Sequence, residues 1–383
     1  MVFRLLSLLV FVLAMPSAFA GGTCSDHGRK WNETNGSLMM ALRSNACHFW
    51  TWSAANASRY LPKEILDETG LLTGDPHHEN FSHVFIGGKR VYVLDDLDDS
   101  GYGPFFLDFL KFYGVSRAVT DNPSALDTET ALKSYLAGLR GEKWASGVPK
   151  LIKEDAEVTA SDLKEDYFKK IQKKTSSGEF VSAEGLTKWS EMSADQKKQF
   201  QDLEDRYFKK QIPSKYKIKD RAFYSKEGRG GSVGVLRAWY YLKAGDEDRQ
   251  ILEFKEMDQS ALSAYQAQPG SEFERKLKVL QTYWGANIPP LFGVIGDANH
   301  AFWMRPKYPA YIDFNKSSFR DDLAAFSELT YFISFKLGLW HGEQLKSGKY
   351  SQNIASNLKN LTVITDKFTS DYLNVARAQN KGK

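Results

Sequence analysis

The chain has 383 residues, 42% of them hydrophobic and 14% aromatic, which excludes a disordered polymer and supplies enough apolar surface for a sizeable core. Its 51 basic and 47 acidic residues leave a formal net charge of +4, too mild at this length to argue for nucleic acid or a membrane surface as partner. After the leader, no segment sustains the roughly 20 apolar residues of a transmembrane segment.

The chain opens Met1-Val2-Phe3-Arg4, runs through apolar Leu5 to Met15 and reaches Ala18-Phe19-Ala20. A charged start, an apolar middle and a small-residue exit predict a cleavable signal peptide over residues 1–20, and a secreted or periplasmic mature protein. The mature chain of roughly 360 residues suits two lobes, at roughly 100 to 200 residues per domain. The only cysteines, Cys24 and Cys47, are expected to form a disulfide in an oxidising compartment. Asn-x-Ser/Thr sequons stand at Asn32, Asn35, Asn56, Asn80, Asn315 and Asn360.

Helical spacing runs from Trp31 to Leu61, and short β-type runs follow at His83 to Ile86 and Arg90 to Leu94. Phe105 to Ala118 and Thr128 to Leu139 read as helices. Ala160 to Lys210 is charged with helical spacing and holds a near-repeat, Asp162 to Lys170 against Asp202 to Lys210, expected to be a helical pair with solvated basic faces. The texture changes at Asp220. Strands are predicted at Arg221 to Tyr224, Val233 to Lys243 and Gln250 to Glu256, a helix at Glu272 to Tyr283, and strands around Phe292 to Ile295 and Ala301 to Arg305. Ser318 to Leu345 and Asn353 to Ala378 are helical again. The fold class is therefore α+β, with a small β-rich lobe over 216–312 inserted between helical parts over 21–215 and 313–383.

Chemistry clusters before that small lobe. Gly74-Asp75-Pro76-His77-His78-Glu79-Asn80-Phe81 sets an aspartate and an asparagine five apart, and Val93-Leu94-Asp95-Asp96-Leu97-Asp98-Asp99 is an apolar strand ending in acids. Phosphoryl transfer needs one carboxylate for the proton of the attacking hydroxyl and hard oxygens for magnesium. Asp75 would be the base, and Asn80, Asp96 and Asp98 the Mg2+ ligands. Within the small lobe, Gly230, Gly231, Ser232 and Gly234 link two strands where backbone amides can approach phosphates. Lys255 on the following strand can reach the α/β-phosphates of ATP, and the next helix offers Glu272 and Glu274 as its partners. Trp239-Tyr240-Tyr241, Tyr283-Trp284 and Trp303 read as packing aromatics.

The segment from Gly74 resembles the catalytic loop His-Gly-Asp-x-His-x-x-Asn of aminoglycoside-phosphotransferase-like kinases. Gly103-Pro104-Phe105-Phe106-Leu107-Asp108 resembles the segment whose last aspartate braces that loop, a role the resemblance gives to Asp108. More specifically, the chain resembles the bacterial family known as domain of unknown function 2252, through Gly74 to Phe81, Asp95 to Asp99, Gly103 to Asp108, Gly230 to Gly234, Lys255 to Ser260 and Leu339 to Gly342, in that order. It departs from that family's pattern where Asp95 replaces an asparagine, where Arg229 replaces the first loop glycine, and where His48-Phe49-Trp50-Thr51 replaces Phe-x-Arg-Gly. The resemblance implies a two-lobed protein-kinase-like fold in circularly permuted order, with the hinge after Trp303-Met304-Arg305 and the helix ending near His341 packed beside Asp75. The expected partners are a nucleotide and an unknown hydroxyl or amine acceptor. Two alternatives stand beside this: a non-catalytic pseudokinase, motivated by scarce ATP outside the cytoplasm, and a metal-dependent hydrolase using His77, His78 and some of Asp75, Asp95, Asp96 and Asp98.

Overall fold

The computed structural model describes residues 38–43, 45–86, 89–120, 125–156, 175–176, 178–181, 185–224, 235–245, 248–257, 259–285, 288–307, 311–312 and 322–381. Residues 1–20, where a signal peptide is expected, Cys24, the first copy of the near-repeat and Gly230, Gly231, Ser232 and Gly234 lie outside them. The architecture mixes helices with small antiparallel sheets.

Helices α1 (Leu38–Arg43), α2 (Ala46–Asn56) and α3 (Lys63–Leu66) open the described chain. Asn45 starts α2 by accepting the His48 amide on its side chain at 3.3 Å. Cys47 of α2 is disulfide-bonded, and Cys24 is the one other cysteine in the chain. Strand β1 (Thr69–Leu72), the hairpin β2 (Phe81–Ile86) and β3 (Lys89–Leu94), and β4 (Gly101–Pro104) follow. Their pairing decides what comes next. β1 pairs with β4, Leu72 opposite Gly101, while β2 pairs with β3, Phe81 opposite Leu94. Loop 73–80 and turn 95–100 therefore span the same two strand pairs and are forced side by side.

Helix α4 (Phe105–Thr120) is apolar nearly all round and is buried from Phe105 to Ser116, as such a helix must be. Helices α5 (Thr128–Leu139) and α6 (Lys150–Ala156) follow. The stretch expected to be helical from Ala160 onward differs where it is described. A hairpin of β5 (Thr175–Ser176) and β6 (Glu179–Phe180) and a strand β7 (Leu186–Lys188) precede α7 (Ala194–Leu203), whose helical path continues in wider turns to Gln211. Short β-favouring runs separated by Gly178 and Gly185 do not sustain a helical period. Ser193 and Gln196 form the capping box that starts α7.

The six-stranded sheet carries the predicted elements: β8 (Lys217–Tyr224), β9 (Arg237–Ala244), β10 (Asp248–Glu256), α8 (Glu272–Trp284), β11 (Gly293–Gly296) and β12 (Ala301–Pro306). Its order is β11-β12-β10-β9-β8-β7, antiparallel throughout. Phe200, Leu203 and Phe208 pack with Tyr240, Leu252 and Phe254 on one face, so residues before 216 belong to this sheet's core. Strand β13 (Tyr311–Ile312) then pairs with β2, which carries the chain from the sheet to the first hairpin.

Helices α9 (Leu323–Gly342), α10 (Lys349–Ser356) and α11 (Leu358–Lys381) return to the first part. Phe368 and Tyr372 of α11 meet the Phe49 ring of α2 edge-on. Helices α5 and α9 touch backbone to backbone: a Cβ on Gly138 would stand 2.0 Å from the Phe335 carbonyl oxygen, and one on Gly338 2.0 Å from that of Tyr135. This approach sets His341 of α9 against Tyr135 and α4. Trp239, Tyr240, Tyr241, Tyr283, Trp284 and Trp303 are all buried, as their spacing predicted. Among the described residues no helix is long and apolar enough to cross a membrane.

Candidate functional site

Asp75 is placed by what surrounds Gly74. Gly74 has φ +78°, and a Cβ there would stand 1.8 Å from the Asp99 carbonyl oxygen, so only glycine lets loop 73–80 lie against turn 95–100. Trp50 of α2 donates its indole N–H to the Gly74 carbonyl at 2.7 Å. From α4, the fully buried Asp108 accepts the Thr73 and Gly74 amides at 3.0 Å each, and the Thr73 hydroxyl at 3.0 Å. His341 Nε2 lies 3.4 Å from Asp108, and its Nδ1 2.9 Å from the Tyr135 hydroxyl. Asp108 thus holds the backbone entering Asp75, and His341 backs Asp108.

One helical turn beyond Asp108, the buried Lys111 puts its Nζ 2.6 Å from Asp75 Oδ1. His77 Nε2 lies 3.6 Å from Asp75 Oδ2. Burial pushes the Asp75 carboxyl up to about 6 against the pull of Lys111, with the charge of Asp99 adding to the rise. A carboxylate tuned near neutrality and fixed by a lysine can accept a proton at ordinary pH. Asn80 donates its Nδ2 to the Asp75 carbonyl at 2.8 Å, which leaves Oδ1 as the atom a cation would meet. Both this residue and Ser82 are buried, so the sequon at Asn80 is inaccessible in the folded chain.

The six-stranded sheet meets the acidic turn through two cations. Lys255 of β10 donates to Asp96 Oδ1 and Oδ2 at 3.1 Å each and contacts Asp98 Oδ2. Arg305 of β12 pairs with Asp95 Oδ1 at 2.9 Å, while Ser82 donates to Asp95 Oδ2 at 2.6 Å. Asp95 thus has an arginine to neutralise it. Burial works to raise the Asp96 carboxyl, but Lys255 and Arg305 hold it well below the usual carboxylate range. Asp98 is raised to about 6, by burial first and by the Asp96 charge second. Glu272 and Glu274 do not pair with Lys255. Glu272 pairs within α8 with Arg275 and with Lys276, the latter at 3.1 Å, and Glu274 caps Ser271. The helix is instead tied to the site through its far end, where Tyr283 donates to the Leu71 carbonyl at 3.2 Å and Trp284 to the Leu94 carbonyl at 2.6 Å.

Beside Lys255 lies a second ionic cluster. Glu253, fully buried, accepts from Arg237 at 3.1 Å, Trp239 at 2.9 Å and Arg305 at 3.2 Å, and Lys307 stands 3.4 Å away. Burial would raise its carboxyl, yet Lys307, Arg305 and Arg237 hold it well below the ordinary range.

The residues of the hydrolase alternative are spread over separate contacts. His78 is buried between Phe112 and Phe326, has Nε2 3.0 Å from the Thr330 hydroxyl, and is pushed down to about 3 by burial, so it is neutral. Asp95 is taken by Arg305. Among the described residues no three His, Cys, Asp or Glu side chains form a metal cluster.

Compared with family models, curated proteins and solved structures, the chain matches none of them.

The structure joins Asn80 to Asp75, and Lys255 to Asp96 and Asp98, and the Asp95 amide donates to the Asn80 carbonyl at 2.8 Å between the two groups; the glycine-rich run lies outside the described residues. Sequence reading missed Lys111 and the Glu253 cluster. Lys111 had a signal: the one lysine of a helix that is otherwise mostly apolar, one turn from Asp108 and so on the same face. Glu253 had one too, since period 2 places it on the face of Lys255.

Proposed function

We propose that the chain is an exported, kinase-like phosphotransferase that moves the γ-phosphoryl group of ATP to a hydroxyl or amine acceptor. The observation that carries the reading is the Lys255 amine at 3.1 Å from both Asp96 oxygens, across 159 residues of sequence. Had these two groups lain on different faces, the reading would have failed. The order of the sheet supports it as well: the glycine-rich run joins β8 to β9, the lysine lies on the third strand, and one helix precedes the last two strands, as in a kinase small lobe. The exit of β12 toward β13, paired with β2, supports a hinge and hence the permuted order.

In this reading Asp75, held by Lys111, takes the proton of the acceptor as its oxygen or nitrogen bonds to the γ-phosphorus and the bond to the β-phosphate oxygen breaks. Lys255 neutralises the α/β-phosphates. The residues fit a hard cation: Asp98 Oδ1 is buried without a hydrogen-bond partner, and Asn80 Oδ1, Asp96 and Asp98 would hold magnesium. Bound there, magnesium supplies charge neutralisation on the phosphate oxygens.

A non-catalytic binding module on the same fold is the second reading, favoured by one observation, that Lys255 is held by the acidic turn and by no glutamate of α8. ADP release from MgATP over a panel of hydroxyl and amine acceptors separates the two. Turnover that falls at least about 100-fold in Asp75→Asn supports the enzyme; ATP bound but never consumed supports a nucleotide-binding module; ATP neither bound nor consumed contradicts the enzyme and leaves a module that binds another partner.

A further inference from the structure

Resting on the phosphotransferase reading, we infer that this site grips its donor by the phosphate end alone and takes nucleoside triphosphates irrespective of base. On β10, Glu253 and Lys255 share one face, and the register sets Arg237 and Trp303 beside Lys255, and Trp239 and Arg305 beside Glu253. We place the base of a nucleotide whose phosphates Lys255 holds along this face. The strand ends at Glu256, and back along it the next row on this face is that of Glu253.

That row offers no apolar platform. Both oxygens of Glu253 are engaged, Oε1 by Arg305 and Oε2 by Arg237 and Trp239, with Lys307 alongside, so the carboxylate is already committed to cations and an indole rather than to a base edge. Trp239, the one aromatic ring of the row, is already stacked on Tyr224 at 4.5 Å, with the Lys307 amine 5.5 Å from its centroid. The next row, Tyr241 and Ile251, is packed against Phe180. A purine stacks between apolar surfaces. To seat one here, the ionic row would have to open and leave charges buried and unpaired, which is more costly than the stacking gained.

The same groups also explain why the row exists. Arg305 joins Glu253 to Asp95, so the cluster fixes the acidic turn to the sheet and holds Asp96 under Lys255. The space that a base would fill is used to align the phosphate end.

The test is calorimetry of the mature protein with MgATP, MgGTP, MgCTP and magnesium tripolyphosphate, with adenosine as competitor. The inference expects all three nucleotides within about threefold of one another, tripolyphosphate close to them, and no displacement by adenosine. ATP binding about tenfold or more tighter than GTP and CTP overturns it and leaves the phosphotransferase reading standing. No binding by any of the four overturns both.

Discussion

Lys111 Nζ stands 2.6 Å from Asp75 Oδ1, with both side chains buried. A buried pair of this kind gains little net stability when intact, but removing one partner leaves the other charge stranded. In Lys111→Met the Asp75 carboxyl should rise further above 6, because burial remains and the lysine's pull is gone. The sign of the pH effect follows. At pH 5 the variant carries a neutral Asp75 and loses little stability; at pH 8 it must bury an unpaired carboxylate and loses about 3 kcal/mol. Urea unfolding at the two pH values checks this, and an equal loss at both would contradict it.

Gly74 holds a left-handed φ of +78° with no room for a Cβ beside the Asp99 carbonyl. Gly74→Ala should destabilise by about 2–4 kcal/mol from strain and overlap together. Loop 73–80 would also shift off turn 95–100, so nucleotide-dependent activity should fall by more than the loss of folded protein accounts for. Chemical denaturation and activity per folded molecule, measured side by side, test both parts.

Asp98 carries a raised pKa, so the stability it contributes is fully present below the ordinary carboxylate value of about 3.8 and is lost as pH rises through about 6. Asp98→Asn removes that dependence. Between pH 4 and 6.5 the wild type should lose about 1–3 kcal/mol relative to the variant. Asp75, raised as well, contributes equally to both proteins, so the difference isolates Asp98. Thermal unfolding across that range reads it, and a difference that does not change with pH would refute the assignment.

The β-rich part was legible in the sequence because apolar alternation and glycine breaks act locally. Asp75, Asn80, Asp96 and Lys255 stood out in the sequence because their motifs are short and their spacing chemical, and the contact between Lys255 and Asp96 is present in the structure. The pairing of Lys255 was not. It depends on how α8 seats on the sheet, and Glu272 is claimed by Arg275 and Lys276 on its own helix. Strand β7 escaped notice because Leu186-Thr187-Lys188 is too short to show a period and is fixed only by its partner Ala222 to Tyr224. Arg305 was read as the approach to a hinge, whereas its side chain reaches two acids, Glu253 and Asp95, from separate parts of the chain. Such long-range ionic pairing leaves no local pattern.

The most direct test of the central claim is calorimetry of MgATP binding to residues 21–383 beside Asp96→Ala and Lys255→Ala, with circular dichroism to confirm that each variant is folded. The account predicts micromolar binding by the wild type that weakens at least about tenfold in both variants, from loss of a charge-assisted contact worth roughly 1.5–3 kcal/mol. Wild-type binding that both folded variants retain unchanged would contradict it, because the nucleotide would then sit away from the junction of Lys255 and the acidic turn.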